Sequence, residues 1–356
     1  MANNRVLIVG TGTIGEPLVG IFSKFKEDFG LDEVVFHKNS PRLEDRPRIQ
    51  QLIDHGAKLV VDETKLNDFE RIGLTPSYSM SEALEKTSVV VDCTPKGCGL
   101  ENKEKHYKKI ERVAKGFIAQ GSEVGFGKMF VHGINNEALI PNRDQYIHVV
   151  SCNTHNRCML VHSLALGDGD NNLVDGHFVC MRRSSDVGQA GDFDPAPVVG
   201  RHKNQTFGTH HAEDAAHLFE TMKLKLKLFS SAAVLNTQYM HTLWFHLRFQ
   251  RATTLEKIMK NLKQNPLIAV TQKMSANLIF AFGRDYGLYG RILNNTVVSL
   301  PALHLSADGK DLHGFCFTPQ DGNSLISSVA ATLWLLDPNS YTKKLQALAP
   351  YLFSEI

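Results

Sequence analysis

The chain has almost no net charge: 39 lysines and arginines against 37 aspartates and glutamates leave +2 over 356 residues. So weak a field gives no reason to expect nucleic acid or an anionic membrane surface as a partner. Basic residues are scattered. The one short cluster, Lys223-Leu-Lys-Leu-Lys227, alternates as lysines on the solvated face of a strand would. Paired-cysteine spacing is missing as well. Cys93, Cys98, Cys152, Cys158, Cys180 and Cys316 contain no CxxC, which argues against a zinc site. No apolar run is long enough to span a bilayer. A strand pattern begins almost at residue 1, where a signal peptide would need a charged and then an apolar region. The expectation is a cytoplasmic protein with reduced thiols. Repeats and low-complexity tracts are missing too.

What remains is ordinary globular composition, 42% hydrophobic and 21% charged, on a chain long enough for two domains. Arg5-Val-Leu-Ile-Val9 reads as a strand buried on both faces. It runs into Gly10-Thr-Gly12-Thr13-Ile14-Gly15 and then a helical spacing from Glu16 to Phe25. Gly10 permits the tight turn, Gly12 the approach of a pyrophosphate, and Gly15 close helix–strand packing; the helix start, with Thr13 and Ile14, offers its amides to phosphate. The second strand, Glu33–Phe36, should end near an adenosine ribose. His37-Lys38-Asn39-Ser40-Pro41-Arg42 stands there, with no carboxylate to accept from ribose hydroxyls. Lys38 and Arg42 suit a 2′-phosphate, which favours NADP over NAD; the alternative is a solvated Lys38 and bound NAD. A further strand, Ser88–Cys93, leads into Thr94-Pro95-Lys96-Gly97-Cys98-Gly99, a loop placed to close over a cofactor. The βαβ alternation predicts a doubly wound parallel sheet over the first ~150 residues.

The pattern then changes. Strands are expected over Asn172–Met181, Met222–Phe229, Ala232–Asn236 and Thr237–Phe249, with a last long strand over Thr296–Leu305. Helices are expected over Thr254–Lys263 and Asn323–Leu336. These segments predict an α+β domain on a mixed, largely antiparallel sheet, with the apolar C-terminal helix packing back on the first domain. The boundaries are 1–151 for the dinucleotide-binding domain, completed by about 320–356, and 152–319 for the catalytic domain.

Between the halves lies Ser151-Cys152-Asn153-Thr154, after the strand-like Tyr146–Val150 and before the helical Arg157–Leu166. A cysteine where a strand ends and a helix begins meets unpaired amides and the helix dipole, which favour a thiolate. A thiolate attacks carbonyl carbon. The plainer reading is a small core cysteine.

In combination these residues resemble the glyceraldehyde-3-phosphate dehydrogenases, and more closely their archaeal (type II) branch. The resemblance rests on Val-Val-Ser-Cys152-Asn-Thr, on Asp92-Cys-Thr-Pro-Lys-Gly-Cys-Gly-Leu-Glu-Asn-Lys103 with Tyr107, and on His37–Pro41. It continues through Arg182-Arg183 with Asp186, His210-His211 and Met240-His241, and Gln320-Asp321 is a weaker echo. It implies Cys152 as nucleophile and His241 as base. Arg182, Arg183, His210 and His211 would bind substrate and inorganic phosphate, and Asn153 and Thr154 would orient the carbonyl. Gly10, Gly12, Gly15, Lys38, Thr94, Pro95 and Gly97 would hold NADP or NAD, without a metal. It also implies a small phosphorylated aldehyde as substrate and a homotetramer. For the arginine pair, the double histidine and His241, a solvated or core role is the alternative.

Two stretches depart from the branch's pattern. Where it continues Cys-Asn-Thr-Thr-Gly-Leu, this chain has Cys152-Asn153-Thr154-His155-Asn156-Arg157, and its double-glycine segment is Gln120-Gly121-Ser122-Glu123. The scaffold and thiol–hydride chemistry survive these changes better than substrate identity does. The alternatives are an aspartate-semialdehyde-type dehydrogenase, which leaves the double histidine unexplained, or a related dehydrogenase acting on another phosphorylated or acidic aldehyde, and a non-catalytic nucleotide-binding regulator.

Overall fold

A computed structural model describes residues 4–167, 169–187 and 193–356. The chain divides into two compact units: 1–130, 139–149 and 325–349 form the first, and 131–138, 150–324 and 350–356 the second.

The first unit is an α/β layer structure on an eight-stranded parallel sheet. Its strands are β1 (Arg5–Val9), β2 (Glu33–His37), β3 (Lys58–Val61), β4 (Tyr78–Ser79), β5 (Val89–Asp92), β6 (Gly116–Gly121), β7 (Lys128–Phe130) and β8 (Tyr146–Val150). They lie in the order β4-β3-β2-β1-β5-β6-β8-β7. The order reverses at β1, so the ends of β1 and β5 open a crevice of the kind where open α/β sheets bind ligands. Every residue of β1 and β5 is buried, which is why both read as unbroken apolar runs. Each such Val or Leu contributes roughly 1.5–3 kcal/mol by leaving water. The helices are α1 (Gly15–Lys24), α2 (Lys26–Phe29), α3 (Arg46–Asp54), α4 (Leu66–Arg71), α5 (Met80–Glu85) and α6 (Cys98–Lys105). Ser79 caps α5: its hydroxyl accepts from the Glu82 amide at 3.4 Å, and the Glu82 carboxylate accepts from the Ser79 amide at 2.9 Å.

The second unit is α+β. Strands β9 (Leu173–Arg182), β10 (Val198–Val199), β11 (Leu228–Val234), β12 (His241–Phe249), β13 (Ile268–Thr271), β14 (Thr296–Leu305) and β15 (Asp311–Thr318) form a mixed sheet in the order β10-β11-β9-β12-β15-β14-β13. The β11–β9 and β13–β14 pairs are parallel and the others antiparallel. Helices α7 (Cys152–Ala165), α8 (His210–Glu220), α9 (Leu255–Gln264) and α10 (Ala276–Tyr286) belong to this unit. Helix α11 (Leu325–Leu336), buried along its whole length, returns to the first unit, where it meets α1, β5 and β6. A short α12 (Tyr341–Leu345) follows.

Several expectations from the sequence fail in this half. The lysine cluster is not a strand: Lys223 has φ +63°, and β11 starts only at Leu228. Residues 237–240 are outside β12, with Tyr239 at φ +67°. Thr296–Leu305 is not the last strand, since β15 pairs beside it. Helices α8 and α10 and strand β13 were not anticipated. The Gly-, Pro- and Asp-rich sequence after Asp186 reads as a long loop to about Phe207; part of it, together with Asp168, lies outside the described residues. No helix among the described residues is long and apolar enough to cross a membrane.

Candidate active site

In the first unit the glycine turn is built as the spacing requires. Gly10 has φ +92°, and a Cβ there would lie 3.1 Å from the Cys93 carbonyl oxygen. A Cβ on Gly15 would lie 1.9 Å from the Gly10 oxygen, so only glycine lets α1 start this close to the turn. A Cβ on Gly12 would meet nothing within 4 Å, which leaves the outer side of the turn open to a ligand. No side chain caps α1. Its Glu16 amide already donates to the Gly12 carbonyl at 3.1 Å and Pro17 carries no N–H, so an anion has chiefly the turn's amides ahead of Glu16 to meet. This cradle fits a dinucleotide pyrophosphate.

The cations beyond β2 are less available than the sequence suggested. Lys38 is paired to Asp45 at 2.7 Å, and Arg42 lies 3.5 Å from Glu44. His37 Nε2 lies 3.1 Å from Asp62, whose carboxyl this contact draws down to about 2. At the end of β5, the buried Asp92 organises the loop that follows. Its Oδ1 accepts from the Thr94 amide at 3.0 Å and from the Thr94 hydroxyl. Its Oδ2 accepts from Asn102 at 2.8 Å and Tyr107 at 2.5 Å. Glu123, in the altered double-glycine segment, is buried and accepts from the Gly97 amide and, at 3.0 Å, the Leu100 amide. It thereby fastens the Thr94–Gly97 loop and caps α6, with Gly97 at φ +90°. Nothing in the sequence pattern announced that role.

In the second unit, Ser151 caps α7, accepting from the Thr154 amide at 3.4 Å, and Cys152 is the first helical residue. Cys152 is partly exposed, and its carbonyl accepts from Asn323 at 2.9 Å. Burial pushes its thiol up to about 12, with Cys180 acting in the same direction and Arg183 against it. The resting group is therefore a thiol. The helix terminus alone predicted a thiolate, but desolvation outweighs it.

Strands β9 and β12 pair antiparallel, Met181 opposite Thr242, so His241 stands at the start of β12 beside the arginine pair ending β9. The Arg183 amide donates to His241 Nδ1 at 3.0 Å. With Nδ1 accepting, the neutral ring carries its proton on Nε2 and meets a substrate oxygen first as a donor. The expected base is thus held in a donor tautomer. Burial, then Arg183, Arg182 and Arg157, holds His241 well below the usual imidazole range.

The two arginines differ sharply. Arg183 is buried. Its Nη2 donates to Asp186 at 2.6 Å and Asp321 at 2.9 Å, and its Nη1 donates to Asp321 at 3.3 Å and the Tyr239 carbonyl at 2.8 Å. Burial opposes its charge, but the Asp321 and Asp186 carboxylates outweigh that and raise its pKa. With the Gln320 amide oxygen on Arg183 Nη2 and Nε, at 2.7 and 2.6 Å, its nitrogen comes within 3.0 Å of both His241 ring nitrogens. Arg183 is therefore a tied scaffold, whereas the sequence made it a phosphate ligand. Arg182 is exposed, and its guanidinium has no ion pair among the described residues.

His210 and His211 are not turn residues: they open α8, ring centroids 3.9 Å apart, His210 exposed and His211 buried. Burial, then Arg157, His210, Arg182 and His241, holds His211 well below the usual range. Asn153 and Thr154 are buried and engaged. The Asn153 Oδ1 accepts from Cys180 Sγ at 3.3 Å, and the Thr154 hydroxyl lies 3.0 Å from that of Ser151. A shallow recess opens beside Gln320 and Asp321, lined also by Tyr239, Met240, Phe280 and Arg291. His246 lies apart on the sheet, its Nε2 2.7 Å from Asp311. Sequence reasoning missed Asn323 and the buried Arg157. Only the departure at Arg157 signalled either.

The chain is 28% identical over 265 residues, 73% of its length and 72% of the relative's, to glyceraldehyde-3-phosphate dehydrogenase of Methanobacterium bryantii. The chain is similar to archaeal glyceraldehyde-3-phosphate dehydrogenases. To the enzyme of that name from Methanocaldococcus jannaschii it is 25% identical over 315 residues, 83% of each chain. To that of Methanococcus maripaludis it is 27% identical over 307 residues, again 83% of each. No family model matches.

Proposed function

We propose that this chain is a phosphorylating aldehyde dehydrogenase, an oxidoreductase of the glyceraldehyde-3-phosphate dehydrogenase kind, with glyceraldehyde 3-phosphate as first-choice substrate. The observation that carries the reading is the gathering, in one unit, of the partly exposed Cys152 with Arg183, His241, Arg182 and His211, in a chain whose relatives bear that name.

Cys152 loses its proton to solvent, and its sulfur attacks the aldehyde carbon, giving a thiohemiacetal oxyanion. His241 Nε2–H donates to that oxygen, while the Arg183 amide holds the ring and Asp321 holds Arg183. As the oxyanion collapses to a thioester carbonyl, the C–H bond breaks and its hydride departs. A bound nicotinamide cofactor supplies the hydride acceptor. A phosphate oxygen then attacks the thioester carbon, the C–S bond breaks, and an acyl phosphate leaves Cys152 as thiolate. Arg182, His210 and His211 hold the phosphate groups. Arg183 acts through its neighbours.

The glycine turn, the Thr94–Gly97 loop and Lys38 would hold NADP or NAD. NADP is favoured, Lys38 exchanging Asp45 for the 2′-phosphate. A homotetramer in a reducing cytoplasm goes with this reading, and all six cysteines are free. The test is formation of reduced nicotinamide from glyceraldehyde 3-phosphate, phosphate and cofactor. Wild type should turn over and Cys152→Ser should not; equal rates would refute the reading.

A further inference from the structure

Arg157 is the most unusual residue near the site. It lies on α7, five residues after Cys152, and is fully buried. Its Nη1 donates to the Asn153 carbonyl at 2.8 Å, and its guanidinium carbon lies 5.7 Å from the Phe178 ring centroid. Its Nε and Nη2 meet no oxygen or nitrogen partner, the Cys180 thiol being the polar group its guanidinium reaches, and no carboxylate pairs with it among the described residues. A buried cation left unpaired is costly, and such a group persists where it serves a charge that comes and goes. A second orphan lies nearby: His211 Nδ1 is also buried without a partner.

The surroundings are cationic or neutral on most sides. From α8 come His210 and His211, from β9 Cys180, Arg182 and Arg183, and from β12 His241. Of the acids, Asp186 and Asp321 are taken by Arg183, and Asp214 on α8 acts on Cys158, on α7 itself. His155 also lies on α7, its Nδ1 3.0 Å from the Ser151 carbonyl.

We infer that Arg157 is a positioning residue for the anion site: it anchors Asn153 through Nη1 and sets a fixed positive charge behind His211 and His241, so that the pocket takes a phosphate group while both imidazoles stay uncharged. This rests on the phosphate-binding role proposed above. Without Arg157 the buried side of the site would have only the histidines, with Arg182 at its exposed side; those rings would then protonate to hold the same anion, and binding would weaken as pH rises through the imidazole range. Arg157 removes that dependence, because a guanidinium stays charged throughout.

The probe is inorganic sulfate, whose charge is constant over this range, titrated calorimetrically into the full chain without turnover. For wild type, affinity should change less than about threefold between about pH 6 and 8.5, and binding near pH 7 should take up no proton, read from enthalpies in buffers of different ionisation heat. Arg157→Met should bind sulfate about tenfold more weakly at pH 8.5, regain affinity toward pH 6, and take up a proton. Arg157→Lys should keep most of the wild-type behaviour. Uptake of about one proton by wild type, or an Arg157→Met profile like that of wild type, would overturn the inference. The proton measurement needs only wild type, so it decides even where a variant folds poorly. Failure here leaves aldehyde oxidation at Cys152 untouched, and failure of turnover leaves the sulfate result standing.

Discussion

Replacing Asp321 with Asn tests how the site is held. The buried Arg183 guanidinium spends two of its nitrogens on this carboxylate, at 2.9 and 3.3 Å, and its backbone amide fixes His241. Removing one partner of a buried pair costs roughly 3–5 kcal/mol, because the remaining charge stays desolvated. Asp186, still 2.6 Å away, retains part of the compensation, so about 3 kcal/mol is expected. For a unit of this size that is a melting-temperature drop of roughly 6–12 °C, measured by calorimetry. His241 would lose its register, and kcat should fall about 100-fold. The double variant Arg183→Met, Asp321→Leu should recover much of the stability and none of the turnover, since an apolar pair can replace a buried ion pair. A single variant melting within about 1 °C of wild type at full turnover would show that Asp321 neither neutralises Arg183 nor positions His241.

Other consequences can be checked together. With the Cys152 thiol pushed up to about 12, its alkylation by iodoacetamide in the cofactor-free protein should quicken about tenfold per pH unit between about pH 8 and 10. A plateau reached by neutral pH would contradict this. His211 and His241 are held well below the imidazole range when folded, so the unfolded chain binds more protons as pH falls. Stability is then fully present above about pH 6.5 and is lost below it, by up to roughly 1.4 kcal/mol per pH unit for each ring. A melting temperature flat from pH 7 to 5 would count against two neutral rings. Lys38→Ala should weaken NADP binding much more than NAD, and Asp45→Asn, which frees Lys38, should tighten NADP several-fold. Equal effects on the two cofactors would remove Lys38 from a 2′-phosphate contact.

Local rules carried the first unit. Continuous apolar strands and a glycine turn with strand and helix on either side are short-range patterns, and each formed where expected. The second unit depends on pairing partners distant in sequence. Alternation at Lys223–Lys227 mimicked a strand, although Lys223 turns left-handed there. The apolar stripe Ala212, Ala215, Ala216, Phe219 that buries α8 was overshadowed by the histidines before it. At the site, residue identities were legible and their electrical states were not. Whether Cys152 is a thiol, which ring nitrogen of His241 holds the proton and which arginine is committed depend on burial and on Asp321, 138 residues from Arg183. Arg157 showed in the sequence only as a departure; its missing partners appear once the packing is known.

The central claim is that an acyl group passes through a thioester on Cys152. The most direct measurement is mass spectrometry of the protein after brief exposure to glyceraldehyde 3-phosphate and oxidised cofactor with phosphate withheld. The account predicts one acyl adduct per chain on the peptide carrying Cys152, discharged when phosphate is added. An unmodified Cys152 while reduced cofactor accumulates would contradict it.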